Sequence, residues 1–228
     1  MTKPNRPPEL IIMLTHYDRT VPEALALFTE LQAVPVQYWG FKDVGLPAAE
    51  MGRLVAALKA AGKTTALEVV SLSEEDGLRG ARLAVELGFD LLMGTVFFPS
   101  IGHYMRDKAT RYYPFPGHVH SHPSILDGAL ADIVADARRL EAQGVHGLDL
   151  LTYRYTGDAY QLLREVVAAT RIPVVSAGSI TSFGRMAEVR DAGAWGFTIG
   201  SAFFERQFVP AGTFADNVRA VVDWLRRE

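Results

Sequence analysis

Three features of the sequence predict a single (β/α)8 barrel, a parallel eight-stranded α/β fold. Short runs rich in β-branched and aromatic residues alternate with amphipathic stretches of helical period, and this alternation continues to the carboxyl end. Eight strands and at least seven helices fit in order within 228 residues, a length typical of a compact barrel. Hydrophobic residues form 49% of the chain, which is enough for one well-buried domain. Helical crossovers between parallel strands favour closure over the competing open sheet.

The predicted elements form one domain over residues 10–228, and residues 1–9 form a polar, proline-rich, flexible tail. Thr20, Pro47 and Ser73 stand where the first three helices are expected to begin, because these residue types favour helix N-termini. Gly62 and Gly88 are expected to end the second and third helices. The predicted strands are residues 10–15, 36–41, 64–70, 91–97, 112–115, 148–153, 173–176 and 196–199, and further helices are predicted at residues 128–143, 158–170, 183–192 and 213–227.

One segment, residues 98–127, interrupts the alternation. It holds several proline and glycine residues, aromatic pairs and the histidines His118, His120 and His122. Long connections inside compact domains are usually functional or disordered, and the aromatic content argues against disorder. We therefore expect this segment to cover or line the active site. The three histidines could bind a metal ion from one face of an extended strand, but we favour His120 and His122 as hydrogen-bonding groups of a lid and assign no metal.

Charge and composition restrict the class of protein. The net charge is −3 and no basic run of five or more residues is present, so nucleic acid and membrane surfaces are not expected partners. The absence of cysteine excludes disulfides, thiolate metal ligands and a cysteine nucleophile. The first apolar run is too short for a membrane span and lacks a cleavage site. We expect a cytoplasmic homo-oligomer that uses no cofactor.

Two Gly-Ser pairs predict a phosphate-binding cup for a small phosphorylated substrate. Gly178 and Ser179 follow the seventh predicted strand, and Gly200 and Ser201 follow the eighth. In a barrel these strand ends are neighbours on the face that carries the active site, often with a short extra helix, which residues 201–205 could form. Glycine lets the backbone approach an anion closely, and exposed N–H and hydroxyl groups donate to it. The alternative is that these glycines only cap helices or pack against strands.

Lys42 is the leading catalytic candidate. It follows an apolar strand at the barrel mouth, where desolvation would lower its pKa and prepare it as a general base or an imine-forming amine. A structural salt bridge to Glu68 or Asp43 is the alternative. Glu68, near the end of the third strand, is the expected partner acid if its side chain faces inward. His16 and Asp18, after the first strand, could supply a further acid–base pair.

Polar residues near the ends of strands six and seven complete the expected substrate site. Arg154 could bind a carboxylate or a second anionic group, or it could pair with Asp158 at the surface. Tyr153 could donate to a substrate oxygen, and Ser176 stands at the end of strand seven. Asp149, inside the sixth strand, is expected to satisfy a buried polar network rather than to take part in the reaction.

The carboxyl-terminal third, residues 147–205, resembles the phosphate-binding TIM-barrel superfamily, which includes N-acetylmannosamine-6-phosphate epimerases, histidine-biosynthesis isomerases and tryptophan-pathway barrels. The resemblance rests on Ala177-Gly178-Ser179-Ile180, Gly193-Ala194 and Ile199-Gly200-Ser201-Ala202. Lys42 with Asp43 also resembles the lysine position of the epimerases, and Asp18 resembles the strand-one aspartate of the isomerases. The epimerases have an acidic residue in the strand-seven motif, whereas this chain has Ser176 and Ala177, so its acid must come from elsewhere.

The resulting hypothesis is an isomerase or epimerase that acts on a phosphorylated sugar or keto compound. A lyase that forms an imine on Lys42, as class I aldolases do, is the first alternative. A barrel that binds a phosphorylated metabolite without catalysis is the second, because this fold hosts many unrelated functions.

Overall fold

Eight parallel strands form a nearly closed barrel in the computed structural model, which describes residues 7–227. Their order around the barrel is β6-β7-β8-β1-β2-β3-β4-β5, and the side between β5 and β6 lacks a continuous ladder. The predicted barrel is confirmed. Of the predicted tail, residues 1–6 lie outside the described residues, and Glu9 already belongs to β1. The strands are β1 (Glu9–Met13), β2 (Tyr38–Lys42), β3 (Thr64–Val69), β4 (Leu91–Val96), β5 (Arg111–Phe115), β6 (Leu148–Leu150), β7 (Val174–Ser176) and β8 (Gly196–Ile199).

Helices follow the strands, and local capping explains where several of them begin. Ser73 accepts a hydrogen bond from the Asp76 N–H at the start of α3, as predicted, and Thr213 forms a capping box with Asp216 at the start of α9. None of the helices in residues 7–227 is long and apolar enough to cross a membrane. The helices are α1 (Ala24–Leu31), α2 (Ala48–Ala60), α3 (Glu74–Glu86), α4 (Pro99–Met105), α5 (Leu130–Ala142), α6 (Ala159–Ala169), α7 (Phe183–Asp191), α8 (Ser201–Phe204) and α9 (Phe214–Leu225).

Two features of the helices differ from the prediction. Thr20 does not cap α1: its hydroxyl donates to the Lys42 carbonyl at 2.7 Å and accepts from the Lys42 N–H at 2.9 Å, while α1 begins at Ala24. Helix α4 was not predicted, because its proline and glycine content was interpreted as irregular. Pro99 occupies its first turn, where a missing N–H costs nothing.

Two short antiparallel hairpins stand on the carboxyl-terminal face of the barrel. The first pairs Thr15–His16 with Arg19–Thr20, and its tip residues Tyr17 and Asp18 have φ values of 47° and 58°. Such left-handed pairs are typical of two-residue hairpin turns. The second pairs His118–His120 with Ile125–Asp127, so the irregular segment contains a helix, a barrel strand and a hairpin.

Strand alternation divides the core into two layers. A large outer layer lies between the strands and the helices, and a smaller one fills the barrel interior. The interior layer contains Ile11, Met13, Ala66, Leu91, Met93, Tyr113 and Val175. A side chain that shares the direction of these residues points into the barrel, and its neighbours along the strand point to the helices. This alternation decides which predicted site residues reach the mouth.

Asn217 in α9 fixes the segment that follows α8. Its buried side-chain oxygen accepts from the Phe208 and Val209 N–H groups at 3.0 and 2.8 Å, and its amide donates to the Val209 and Thr213 carbonyls at 3.1 and 2.9 Å. Asn217→Ala leaves these backbone groups without partners, so we expect the free energy of unfolding to fall by about 3 kcal/mol. Urea denaturation measures this change. Asp223→Ala, at an exposed site of the same helix, is the control and should stay within about 0.5 kcal/mol of the wild type; equal midpoints for both variants would contradict the assignment.

Candidate functional site

A cavity of about 280 Å³ opens at the carboxyl ends of the strands, and we call it the mouth cavity. The ends of β1, β2, β3, β7 and β8 contribute side chains to it, and Pro123 and Ser124 from the second hairpin cover one side. This is the face on which barrels of this type carry their sites. These two residues belong to the segment 98–127, which the sequence predicts to cover or line the active site.

Three charged side chains form an ion cluster in the wall of the mouth cavity. Lys42 Nζ lies 2.7 Å from Asp18 Oδ1 and 3.4 Å from Glu68 Oε1. The parallel register of β2 and β3 places Lys42 directly beside Glu68, and both point inward. The left-handed turn of the first hairpin brings Asp18 to the same ammonium group. Glu68 therefore faces inward, as the catalytic assignment requires.

The direction of the Lys42 pKa shift is opposite to the prediction. Burial alone would lower the pKa of Lys42, but the Glu68 and Asp18 carboxylates outweigh burial and raise it above the ordinary value. For Asp18, burial favours the neutral acid, but attraction to Lys42 outweighs it and lowers the pKa. At neutral pH Lys42 is therefore a protonated ammonium group, and the carboxylates around it oppose the loss of its proton.

The two Gly-Ser pairs lie together on another side of the mouth cavity, and we call Gly178, Ser179, Gly200 and Ser201 the phosphate cup. Gly178 and Ser179 have φ values of 78° and 56°, so the chain turns sharply here. The backbone N–H groups of Gly178, Ser179 and Ile180 donate no hydrogen bond within residues 7–227. Unpaired N–H groups around a concave turn are a common means of binding an anion.

Both glycines of the phosphate cup are also required by packing. A Cβ atom on Gly178 would lie 2.9 Å from Arg154 Cγ, and one on Gly200 would lie 2.7 Å from Thr15 Oγ1 and 3.0 Å from the Thr15 carbonyl. The contacts agree with the alternative interpretation, that these glycines allow close packing. The same contacts shape the wall of the mouth cavity, so a packing role and the predicted anion binding are compatible.

Arg154 lies between the phosphate cup and the ion cluster. Its side chain passes over Gly178, and one guanidinium nitrogen is 3.7 Å from Asp18 Oδ1 while the other is 3.5 Å from the Ser124 carbonyl. The surface pairing with Asp158 is wrong, because Asp158 caps α6 by accepting from the Gln161 N–H. The guanidinium group therefore faces the mouth cavity with only long contacts of its own.

Three predicted site residues point elsewhere. The Tyr153 hydroxyl donates to Glu188 at 2.7 Å and to the Arg185 carbonyl at 3.0 Å, which fixes it on α7. Ser176 faces the helices, because its neighbour Val175 faces the barrel interior, and its hydroxyl donates to Thr152. His16 stacks between Tyr17 and Phe204, so the expected acid–base pair of His16 and Asp18 is not formed. The sequence could not reveal these directions, since they depend on register and on the local turn.

The histidines of the second hairpin are only partly associated with the mouth cavity. His122 Nε2 lies 4.0 Å from Asp18 Oδ2, whereas His120 interacts with Ser121 and Asp127 on the outside of the hairpin. Among the described residues, no group of three or more histidine, aspartate or glutamate side chains is arranged to hold a metal ion. Of the two predicted lid histidines, His122 is therefore the one that lies beside the ion cluster.

Sequence reasoning missed Tyr17, and the surroundings of Asp149 differ from those expected. Tyr17, at the tip of the first hairpin, lines the mouth cavity although 76% of its surface is exposed. Asp149 is fully buried, and no side chain of the described residues donates to its carboxyl oxygens, so the predicted polar network around it is reduced to the backbone of Gly94. Burial, repulsion from Glu68 and only partial compensation by Lys42 raise the pKa of Asp149 well above its ordinary value.

Comparison with known proteins gives the fold but no family. No protein-family model and no curated protein matches this chain. N-acetylmannosamine-6-phosphate 2-epimerase from Clostridium perfringens is 10% identical, with a TM-score of 0.64 over 85% of this chain and 86% of that one. Orotidine 5′-phosphate decarboxylase from Pyrococcus horikoshii OT3 is 11% identical, with a TM-score of 0.65 over 95% and 99%. A structure named native KDPGal is 15% identical, with a TM-score of 0.67 over 99% and 98%.

The likeness to these structures confirms the barrel fold. The activities of these neighbours differ, since one is an epimerase and another is a decarboxylase. At this identity the likeness carries the fold alone, and the reaction has to be argued from the side chains of the mouth cavity.

Removing the ammonium group should change the titration of Asp18. Lys42→Met takes away the charge that contributes most to holding the pKa of Asp18 low, so we expect that pKa to rise. Carbon NMR of the aspartate carboxyl groups measures it. Lys59→Met, which removes an exposed lysine paired with Asp90, should leave the Asp18 titration unchanged. Superimposable Asp18 curves for the wild type and Lys42→Met would contradict the ion cluster.

Proposed function

We propose that this protein is an enzyme that isomerises or epimerises a small phosphorylated sugar or keto compound by proton transfer. The observation that carries the proposal is that the ion cluster and the phosphate cup line one cavity of about 280 Å³. A cavity of this size suits a small metabolite. The phosphoryl group would sit on the N–H groups near Gly178, and Arg154 would contact the same group or a second anion.

In the proposed reaction Glu68 acts as the base and Lys42 stabilises the developing charge. Glu68 accepts a proton from the carbon next to a carbonyl group, the C–H electron pair forms the enolate double bond, and negative charge moves to the carbonyl oxygen. The Lys42 ammonium group donates a hydrogen bond to that oxygen, where buried cationic donors are most effective. Return of the proton to the other face, or to the neighbouring carbon, gives the epimer or the isomer.

The raised pKa of Lys42 counts against the lyase alternative. Imine formation needs a neutral amine, and the Glu68 and Asp18 carboxylates both favour the protonated form. An aldolase mechanism would first have to separate Lys42 from Asp18 at 2.7 Å. The same contacts suit an ammonium group that remains charged, which is the role that proton transfer gives it.

Glu68→Gln should abolish proton abstraction. We expect it to reduce deuterium uptake from D2O into phosphorylated aldoses and ketoses by at least about a hundredfold, because the amide cannot accept the proton. Mass spectrometry of the recovered compounds measures the uptake. Glu75→Gln, a change of the same type at an exposed position of α3, is the matched control and should retain wild-type uptake.

Two outcomes would contradict this proposal. A borohydride-stable adduct on Lys42 would favour the lyase. If instead Glu68→Gln and Lys42→Ala left every detectable turnover unchanged while phosphate still bound, the barrel would be a binding protein without catalysis.

The phosphate cup is tested by direct binding. Ser201→Ala removes one hydroxyl donor to a charged ligand, which we expect to weaken the binding of inorganic phosphate about tenfold. Isothermal titration calorimetry measures the affinity. Ser100→Ala, on α4, is the control and should bind phosphate like the wild type, since its hydroxyl contacts Glu74 instead. Equal affinity in the wild type and Ser201→Ala would place the anion elsewhere.

A further inference from the structure

Asp149 is a buried carboxyl group that the proposed reaction does not yet use. It lies in β6 with 0% exposure, and its register partner Val175 belongs to the interior layer of the barrel. Its sequence neighbours Leu148 and Leu150 belong to the outer layer, so Asp149 points into the barrel. Lys42 and Glu68 also point inward from β2 and β3, and Glu68 is paired in register with the interior residue Met93.

The surroundings of Asp149 give no reason to expect that its carboxyl group stabilises the fold. Neither carboxyl oxygen has a hydrogen-bond partner of ordinary geometry among the described residues, although the Gly94 N–H group is close enough to favour the carboxylate. A buried polar group without a partner costs free energy, and such groups are rare outside functional sites. The charge of Glu68 favours its neutral form, whereas the charge of Lys42 and a backbone hydrogen bond from Gly94 favour its ionised form. Asp149 is thus a neutral acid held close enough to the ion cluster to feel its charges.

The proposed reaction needs a proton-donating acid, which Asp149 could supply through Glu68. Proton transfer at carbon needs both an acid and a base, and strand seven supplies no acid, because Ser176 faces the helices and Ala177 is apolar. Glu68 is a carboxyl group that lines the mouth cavity, and only 13% of its side chain is exposed. A bound substrate would limit its exchange of protons with water still further.

We propose that Asp149 is the proton store of the site: a fully buried carboxyl group, to which no side chain of the described residues donates, that shares one proton with Glu68 and lets it alternate between base and acid. This inference rests on the proposed function. At rest the proton is on Asp149, and Glu68 is ionised beside Lys42. Transfer of that proton from Asp149 to Glu68 makes Glu68 the acid and Asp149 the carboxylate, and the reverse transfer restores the resting state. Asp149 does not line the mouth cavity, so it is a positioning residue that acts through Glu68.

Infrared spectroscopy of the ligand-free protein tests the store without any substrate. We expect the wild type to show the carbonyl stretch of a protonated carboxylic acid at pH 7, and Asp149→Asn to lose it. In Glu68→Gln the band should remain but titrate away at a pH lower by about 1 unit or more, because the repelling charge is gone. Tyr113→Phe is the matched control, since it removes another buried, unpartnered oxygen of the barrel interior, and it should keep the wild-type band and midpoint.

The wild-type spectrum tests the proton store even if a variant fails to fold. Absence of the acid band at pH 7 in the wild type, or its persistence in folded Asp149→Asn, would overturn the store. An unchanged midpoint in Glu68→Gln would overturn the sharing of a proton between the two residues.

Kinetics then separates this inference from the proposed function. With the phosphorylated sugar that takes up deuterium fastest, Asp149→Asn should lower kcat about a hundredfold, leave KM unchanged and remove the alkaline limb of the pH–rate profile. If Glu68→Gln abolishes uptake but Asp149→Asn keeps the wild-type profile, the inference is wrong and the function stands. If no sugar in the series is turned over, the proposed function fails, and the infrared titration alone decides whether Asp149 stores a proton.

Discussion

The buried ammonium group of Lys42 is the constraint on which the site depends. An ammonium group in the wall of a barrel is unfavourable unless carboxylates surround it, and here Asp18 and Glu68 meet that need at 2.7 and 3.4 Å. The requirement explains the local backbone. Lys42 and Glu68 are register partners on neighbouring strands, and the first hairpin adopts left-handed conformations at its tip, which brings Asp18 to the same nitrogen. Thr20, in the same hairpin, holds the Lys42 backbone through both its carbonyl and its N–H group.

The two sides of the mouth cavity differ in the chemistry of their residues. The phosphate cup is built mainly from backbone and small side chains, whereas the opposite wall carries the titratable groups. Arg154 connects the two, since it crosses Gly178 and approaches Asp18. In the proposed reaction, a dianionic ligand in the phosphate cup would attract Arg154 and Lys42. Their attraction to the Asp18 and Glu68 carboxylates would then be weaker, because the ligand and the carboxylates compete for the same cations. Substrate binding would thereby loosen the ion cluster when Glu68 has to react.

Asp149 and Tyr113 indicate that the barrel interior is not optimised for stability alone. Each has a buried polar oxygen to which no side chain of residues 7–227 donates, and apolar replacement of such groups often stabilises proteins. The two differ in their surroundings. Tyr113 lies beside Trp195, at 6.4 Å between ring centroids, and the Arg111 guanidinium group lies 5.9 Å from its ring, whereas Asp149 is subject to the charges of Glu68 and Lys42, which line the mouth cavity. This contrast is why a proton-carrying role is assigned to Asp149 and not to Tyr113.

The sequence by itself determined the alternation of strands and helices, the cap at Ser73, the position of the two Gly-Ser pairs at the strand ends and the identity of Lys42 as a mouth residue, because these depend on local period and on residue chemistry. Only the tertiary structure decided which polar side chains face inward. Side chains alternate along a strand, so one residue of register moves Glu68 into the site and Ser176 out of it. The sign of the Lys42 pKa shift was decided in the same way, since burial lowers it and carboxylates raise it, and the carboxylates come from a neighbouring strand and a hairpin. Distant segments of the chain bring those charges together, and no local pattern records their distance.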